Sequence, residues 1–330
     1  MRAVRYGTAL NSFVSSNIFT RFPNIGEFEI VKPTEDRPHG FYEVYALETK
    51  RNETAGNSSR GLPSISMVNG CNAKEQQALY WWQYKLMKEM GFAEFHKHMK
   101  AILARGSKFH SAVHNLLKAL KKDGKIPNFD EAFNKENEDI RGFVESIAKF
   151  LPTLNLNPLM CMEQKVVSQR LGYQGRFDAI IELNGELTLV DWKTINTYSA
   201  KAQREVPSAT LSLAELYSNP VQVAAYVAAV NASCAFADYP TASGTLPAVI
   251  LAYEDGRPAE TVLMNEEEIE HHFQTHLCNL NYFWYEIMTR RPDISGQIRM
   301  VFNPYEQQQQ QGKPDEPTAA KAATSGTSSQ

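Results

Sequence analysis

Cysteine is scarce: Cys71, Cys161, Cys234 and Cys278 are the four in 330 residues, and no two lie within four positions. That spacing offers no CxxC-type metal site, and so sparse a set reads as reduced, packed thiols rather than a disulfide framework. Long apolar runs are missing too; none reaches the roughly 18 residues of a membrane span. Neither sign of charge dominates. The 34 Lys and Arg against 37 Asp and Glu leave a net charge of −3, so bulk charge announces no nucleic-acid partner and its distribution must be read instead. GYQG, at 172–175, lacks the strand–GxGxxG–helix setting of a phosphate loop. No GxSxG elbow is present, and spacing suggests no Cys/His pair.

The first acid after the start is Glu27. An acid-poor segment carrying Arg2, Arg5, Arg21 and several Ser and Thr suits a mitochondrial transit peptide over 1–26, although a short disordered terminus would read the same way. Residues 27–60 are poorly patterned and read as a linker. A single domain is expected over 61–300, with a helical region at 72–150 and a core at 158–300. Within the helical region, 72–91 is one helix, 92–124 one or two, and 128–151 another. The period then turns strand-like at 160–168, 172–182 and 186–194. A long loop follows to 218, then a short buried helix, then a hairpin from LPAVILAY and ETVLM around Asp255-Gly256. Asn265 with Glu268 forms a capping-box pattern before a further helix. The glutamine run and polar residues of 301–330 read as a disordered tail. The order of elements argues α+β, or α/β with a mostly mixed sheet.

The second and third strands flank Asn184-Gly185, a two-residue type I′ hairpin signal that needs positive φ at both positions. With those two at the turn, paired positions sum to 369. Asp178 then faces Asp191, and Arg176 faces Lys193. Opposed Cβ atoms lie about 5 Å apart. Asp178, Asp191 and Lys193 share one face; Phe177, Ala179, Ile181, Leu183, Val190 and Trp192 share the other, a core face. Two carboxylates so close repel, and a divalent cation with oxygen ligands, Mg²⁺ or Mn²⁺, relieves the repulsion better than a shared proton. Lys193 adds a cation that could hold a phosphate or orient a water. A surface hairpin with ordinary solvated Asp and Lys is the alternative.

Asp178, Asp191 and Lys193, read as D-x12-D-W-K, resemble the PD-(D/E)XK nuclease superfamily. GSKFH at 106–110, Glu163 in CMEQKVV, and Gln222 with Tyr226 in a QxxxY pattern resemble its RecB-like exonuclease branch. Together with GLPSISMVNG, the Trp-rich helix, GYQGRFD, LVDWKT and NPVQVAAY, they look like the mitochondrial genome maintenance exonuclease family over roughly 60–290. The Pro that names the superfamily is absent, since Phe177 precedes Asp178. The resemblance implies an α/β, restriction-endonuclease-like core: a central mixed β-sheet flanked by helices, with an N-terminal helical region. It also implies a metal held by His110, Asp178, Asp191 and the Trp192 backbone carbonyl, with Asp178, Asp191 and Lys193 catalytic. Glu163, Gln222, Tyr226, Arg176, Lys108 and Arg105 would support the site or contact DNA. Some superfamily relatives carry an iron–sulfur cluster, but the scattered cysteines here predict none.

The implied activity is a Mg²⁺- or Mn²⁺-dependent single-stranded DNA exonuclease of the mitochondrial matrix. It would trim flaps and process replication intermediates in DNA replication and repair, beside the mitochondrial replication machinery. An inactive single-stranded nucleic-acid-binding module and an RNA-directed nuclease of the same fold stay open. Residues 95–122 hold Lys97, Lys100, Arg105, Lys108, Lys118, Lys121 and Lys122 and no acid, a local surface that attracts phosphate despite the acidic total. Tyr80, Trp81, Trp82 and Tyr84 crowd one helix; most read as core, and one or two could stack bases.

Overall fold

A computed structural model describes residues 62–71, 73–125, 135–154, 161–168, 171–196, 211–231 and 246–289, and the backbone of five further strands at 28–31, 44–49, 198–199, 204–205 and 297–301. The expected transit segment, the tail beyond residue 301 and Cys234 lie outside the described residues.

In chain order the elements are β1 (Phe28–Val31), β2 (Val44–Thr49), α1 (Ile65–Gly70), α2 (Ala73–Met90), α3 (Phe92–Asp123) and a 3₁₀ turn (Lys135–Ile140) leading into α4 (Arg141–Phe150). Next come β3 (Cys161–Ser168), β4 (Tyr173–Leu183), β5 (Glu186–Ile195), β6 (Tyr198–Ser199) and β7 (Arg204–Glu205). The last are α5 (Asn219–Asn231), β8 (Leu246–Tyr253), β9 (Glu260–Leu263), α6 (Glu266–Thr289) and β10 (Gln297–Val301). The central sheet runs β3-β4-β5-β8-β9. β5 and β8 are parallel and the other neighbours antiparallel, so the sheet is mixed, as expected. The stretch read as a poorly patterned linker contains β1 and β2, which pair with β10 in a second sheet of order β1-β2-β10. The long loop contains the small β6–β7 ladder and a 3₁₀ turn at Leu213–Leu216.

Each face of the central sheet carries its own core. On one side α3 and α4 pack Phe109, Val113, Leu117, Phe143 and Ile147 against Ala179, Ile181, Val190, Trp192 and Ile250. On the other, α1, α5 and α6 pack Ile65, Val223, Val227, Phe283 and Trp284 against Phe177, Ile180, Leu189, Val249 and Leu251. Burying one such side chain contributes about 1.5–3 kcal/mol. Phe109 is fully buried, edge-on to Phe143 at 6.1 Å, and so fixes how α3 presents the residue after it, His110. Truncating Phe109 to Ala would cost about 3–5 kcal/mol.

The hairpin forms as its turn residues dictate. Asn184 and Gly185 have φ of 53° and 80°, and pairs from Leu183↔Glu186 to Ala179↔Val190 keep the sum of 369. There the β4–β5 ladder ends. Asp178 and Asp191 are therefore not a ladder pair, and neither are Arg176 and Lys193; Arg176 pairs with Lys165 of β3 instead. The shared core face is corrected as well. Phe177 packs in the α5–α6 core beside Ile180, while Ala179 and Ile181 face α3 and α4. Strict alternation would put Phe177 with Ala179. The alternation slips at Asp178, and Glu163, across from it on β3, has φ of 52°. A non-glycine residue in that region marks local strain, and such strain gathers at functional sites.

Candidate active site

The slip in β4 builds the site. Where β4 and β5 part, the Asp178 carboxylate takes over the pairing: Trp192 N–H donates to its Oδ2 at 2.8 Å. Its other oxygen lies 3.1 Å from His110 Nδ1. A helix behind the sheet and two strands within it are thus tied through one side chain. His110, Glu163 and Asp178 place one ligand atom each within 4.8 Å of one another, a spacing that a single ion can bridge. Imidazole with two carboxylates is a donor set that Mn²⁺ or Mg²⁺ accepts.

Asp191 lies beside this trio and is 3% exposed. Its Oδ2 lies 2.6 Å from Lys193 Nζ. Burial, helped by the nearby Asp178 charge, pushes the Asp191 carboxyl above the usual range, against the pull of Lys193 and His110. Burial disfavours the Lys193 ammonium, but the charge and hydrogen bond of Asp191 outweigh it and hold the lysine protonated. Burial likewise disfavours the His110 imidazolium. The hydrogen bond and charge of Asp178, with Asp191 behind, outweigh burial, so its pKa rises. The pocket is therefore set for cations.

α5 closes the site from the second core. Gln222 Nε2 donates to Tyr226 Oη at 2.9 Å across one helical turn. Burial first, and then the charges of Asp191, Asp178 and Glu163, drive the Tyr226 pKa upward. Gly175 was not singled out in the sequence as a site residue, yet it makes this packing possible. A Cβ built there would lie 2.4 Å from Tyr226 Cε1 and 2.9 Å from Ile65 Cδ1. The signal was the second glycine of GYQG, two strand positions before Phe177.

The other expected contacts lie further out. Arg176 is exposed and reaches Glu163 Oε2 at 3.6 Å. Lys108 pairs with Asp139 at 3.3 Å. Arg105 donates to Asn196 Oδ1 at 3.4 Å, just past the end of β5, and its guanidinium lies over the Phe143 ring at 5.7 Å. Gly106, one turn before His110, has nothing within 4 Å of where a Cβ would sit, so that face of α3 is open. His114 lies one turn beyond His110 and outside the ligand trio.

The sequence pattern of the PD-(D/E)XK nuclease superfamily matches residues 80–290. The chain belongs to the PD-(D/E)XK nuclease superfamily. The matched stretch includes its mixed five-stranded sheet, β3-β4-β5-β8-β9, and the helices α3, α4, α5 and α6 that flank it. It is also similar to three proteins named mitochondrial genome maintenance exonuclease 1. The Homo sapiens protein is 24% identical over 276 residues, 80% of this chain and 71% of that protein. The Xenopus tropicalis protein is 25% identical over 224 residues, 67% and 57% of the two chains. For the Mus musculus protein the figures are 26% over 208 residues, 62% and 54%. The chain thus spans little more than half the length of the frog and mouse relatives. Among PD-(D/E)XK nucleases a divalent metal is the working cofactor, and the His110, Glu163 and Asp178 trio fits one. No helix among the described residues is long and apolar enough to cross a membrane.

Proposed function

We propose that this PD-(D/E)XK protein is a metal-dependent exonuclease that hydrolyses phosphodiester bonds of single-stranded DNA. The observation that carries the reading is the convergence of His110, Glu163 and Asp178 beside a buried Asp191–Lys193 ion pair. His110, Glu163, Asp178, Asp191 and the Trp192 carbonyl are the residues offered as ligands to Mg²⁺ or Mn²⁺. The ion, when bound, polarises the phosphate and lowers the pKa of a bound water.

The chain's own groups do the rest. Lys193, held protonated by Asp191, donates to a phosphate oxygen and orients the attacking water. Asp191 fixes the ammonium in place. Gln222 and Tyr226, bonded to each other on α5, support the site from the second core. Arg176 lies close enough to Glu163 to meet a phosphate on the strand side, and the open face at Gly106 leaves room for a backbone. Lys108 and Arg105 stand on the same helix, within two turns of His110.

The names of the similar proteins support a role in mitochondrial genome maintenance. We extend this to a place in the matrix, beside the replication machinery, and to the trimming of displaced flaps and replication intermediates. The test is end-labelled single-stranded DNA with Mn²⁺, beside a Lys193→Ala control, a matched RNA strand and a circular DNA. Stepwise loss of the linear DNA with wild type alone supports the reading. Equal digestion by the variant removes Lys193 from the site, and cutting of the circle removes the need for an end. Faster digestion of RNA moves the substrate.

A further inference from the structure

The first half of α3 and the helix before it carry apolar side chains in water. Trp81 and Trp82 on α2 are 43% and 42% exposed, and Phe92, the first residue of α3, is 52% exposed. The other two tryptophans, Trp192 and Trp284, are buried. An amphipathic helix pair normally turns its large rings inward, and these rings have basic company. Lys85 follows Trp82 by three residues and Trp81 by four, so it lies one turn on from both; Lys88 continues the Trp81 row. Both lysines are exposed. On α3, Lys97 and Lys100 follow within three turns of Phe92, and from Phe95 to Lys122 there is no acid. Glu94 touches Lys97 at 3.9 Å, and Glu89 is the acid that closes α2.

Exposed rings interleaved with lysines along α2 and the start of α3 match a chain of aromatic bases joined by phosphates better than they match an apolar protein face, which lysines would disfavour. Stacking accepts any base, because every base has a π-face. The surface also continues toward the site, since α3 runs straight from Phe92 to His110, about 27 Å along its axis.

We propose that Trp82, Phe92 and Trp81 form a base-stacking platform that holds single-stranded nucleic acid several nucleotides from the scissile bond, with Lys85, Lys88 and Lys100 on its phosphates. This inference rests on the nuclease reading above and adds a distal contact to it. Such a contact grips the strand between successive cuts without touching the reacting phosphate.

The experiment uses the full chain in EDTA, so that strands bind uncut. Tryptophan emission is followed while adding a 20-nucleotide oligo-dT or an abasic strand with the same number of phosphates. The emission that bases can reach comes from Trp81 and Trp82. Oligo-dT should quench it, and should bind more tightly than the abasic strand. A Trp81→Leu/Trp82→Leu double variant should lose the quench and about tenfold or more in affinity for oligo-dT, with its affinity for the abasic strand unchanged. Trp82→Tyr, which keeps a ring, should keep most of the affinity, guarding against a folding defect in the double variant. Equal affinity for the two strands with unchanged emission would overturn the platform and leave the nuclease reading standing. A change in sedimentation of the double variant with DNA binding intact would overturn it in favour of a contact between copies of the chain. Failure of wild type to bind any strand would overturn both.

Discussion

Lys193 and Asp191 form a close ion pair, 2.6 Å between Nζ and Oδ2, on neighbouring inward positions of one strand. Asp191 holds the Lys193 ammonium protonated against burial, while burial pushes the Asp191 carboxyl upward despite the pull of Lys193. Removing the cation leaves a carboxylate that is 3% exposed without its partner.

Lys193→Ala should therefore cost stability as well as turnover. We expect a loss of about 3 kcal/mol in urea unfolding, because an uncompensated buried charge is expensive. Hydrolysis should fall by about 10²–10³-fold. Adding Asp191→Asn to that variant should restore most of the stability and none of the activity. Recovery of both would make the pair purely structural.

Mn²⁺ should bind the wild-type protein in a calorimeter without any DNA present. Glu163→Gln and His110→Ala should each weaken that binding by about 10–100-fold or more. EDTA should stop hydrolysis, and added Mg²⁺ or Mn²⁺ should restore it. Unchanged affinity in both variants would place the ion elsewhere.

Gly175→Ala puts a methyl group 2.4 Å from the Tyr226 ring. Overpacking of this kind costs about 1–3 kcal/mol, and the ring must shift to make room. Activity should fall with stability. Tyr226→Phe, which loses only the bond from Gln222, should cost about 1 kcal/mol. If Gly175→Ala behaves like wild type in thermal unfolding, the contact is softer than the geometry implies.

How far the sequence carries depends on how local the cause is. Asn184-Gly185 fixed the turn and five rungs of ladder, since positive φ at both positions leaves one tight register. Asn265 and Glu268 exchange the two cap bonds their spacing predicts, at 2.8 and 2.9 Å. Extrapolating that register past Ala179 failed. Pairing there is broken by Glu163 and by the reach of Asp178 to the Trp192 amide, neither of which a period-two pattern can register. The helix read at 128–151 begins in the structure as a 3₁₀ turn at Lys135 before becoming α at Arg141, and 126–134 lie outside the described residues. The residues of the candidate site were singled out by motif, and the fold brings His110, Glu163 and Asp178 together beside Asp191 and Lys193. The closeness of Glu163 to His110 was not legible, because it depends on three elements far apart in sequence.

His276 offers a pH test remote from the site. It is fully buried on α6, its Nδ1–H donates to Asn69 Oδ1 at 2.9 Å, and its ring meets Tyr173 edge-on at 4.6 Å. Burial pulls its pKa down to about 3. In the unfolded chain it titrates near about 6.5. Between those values the unfolded state binds the extra proton, so stability is whole above about pH 6.5 and drains as pH falls, by up to about 1.4 kcal/mol per pH unit. His276→Gln should flatten the profile between pH 6 and about 4, measured as urea midpoints against wild type. Parallel profiles would mean His276 is already charged when folded.

The pairing of β2 with β10 joins Val44 to Val301. Chain that must wait for about 250 further residues before its strand can pair closes a very large loop, and the entropy of that closure is met only by contacts made at the end. The second sheet should thus be the last part of the protein to assemble, and during synthesis β2 should pass a long interval as an unsatisfied edge. A chain that began between β2 and α1 would keep the carboxylates of the candidate site and their sheet, yet leave β10 without its partner strand, an open edge of the kind that seeks a strand from another molecule.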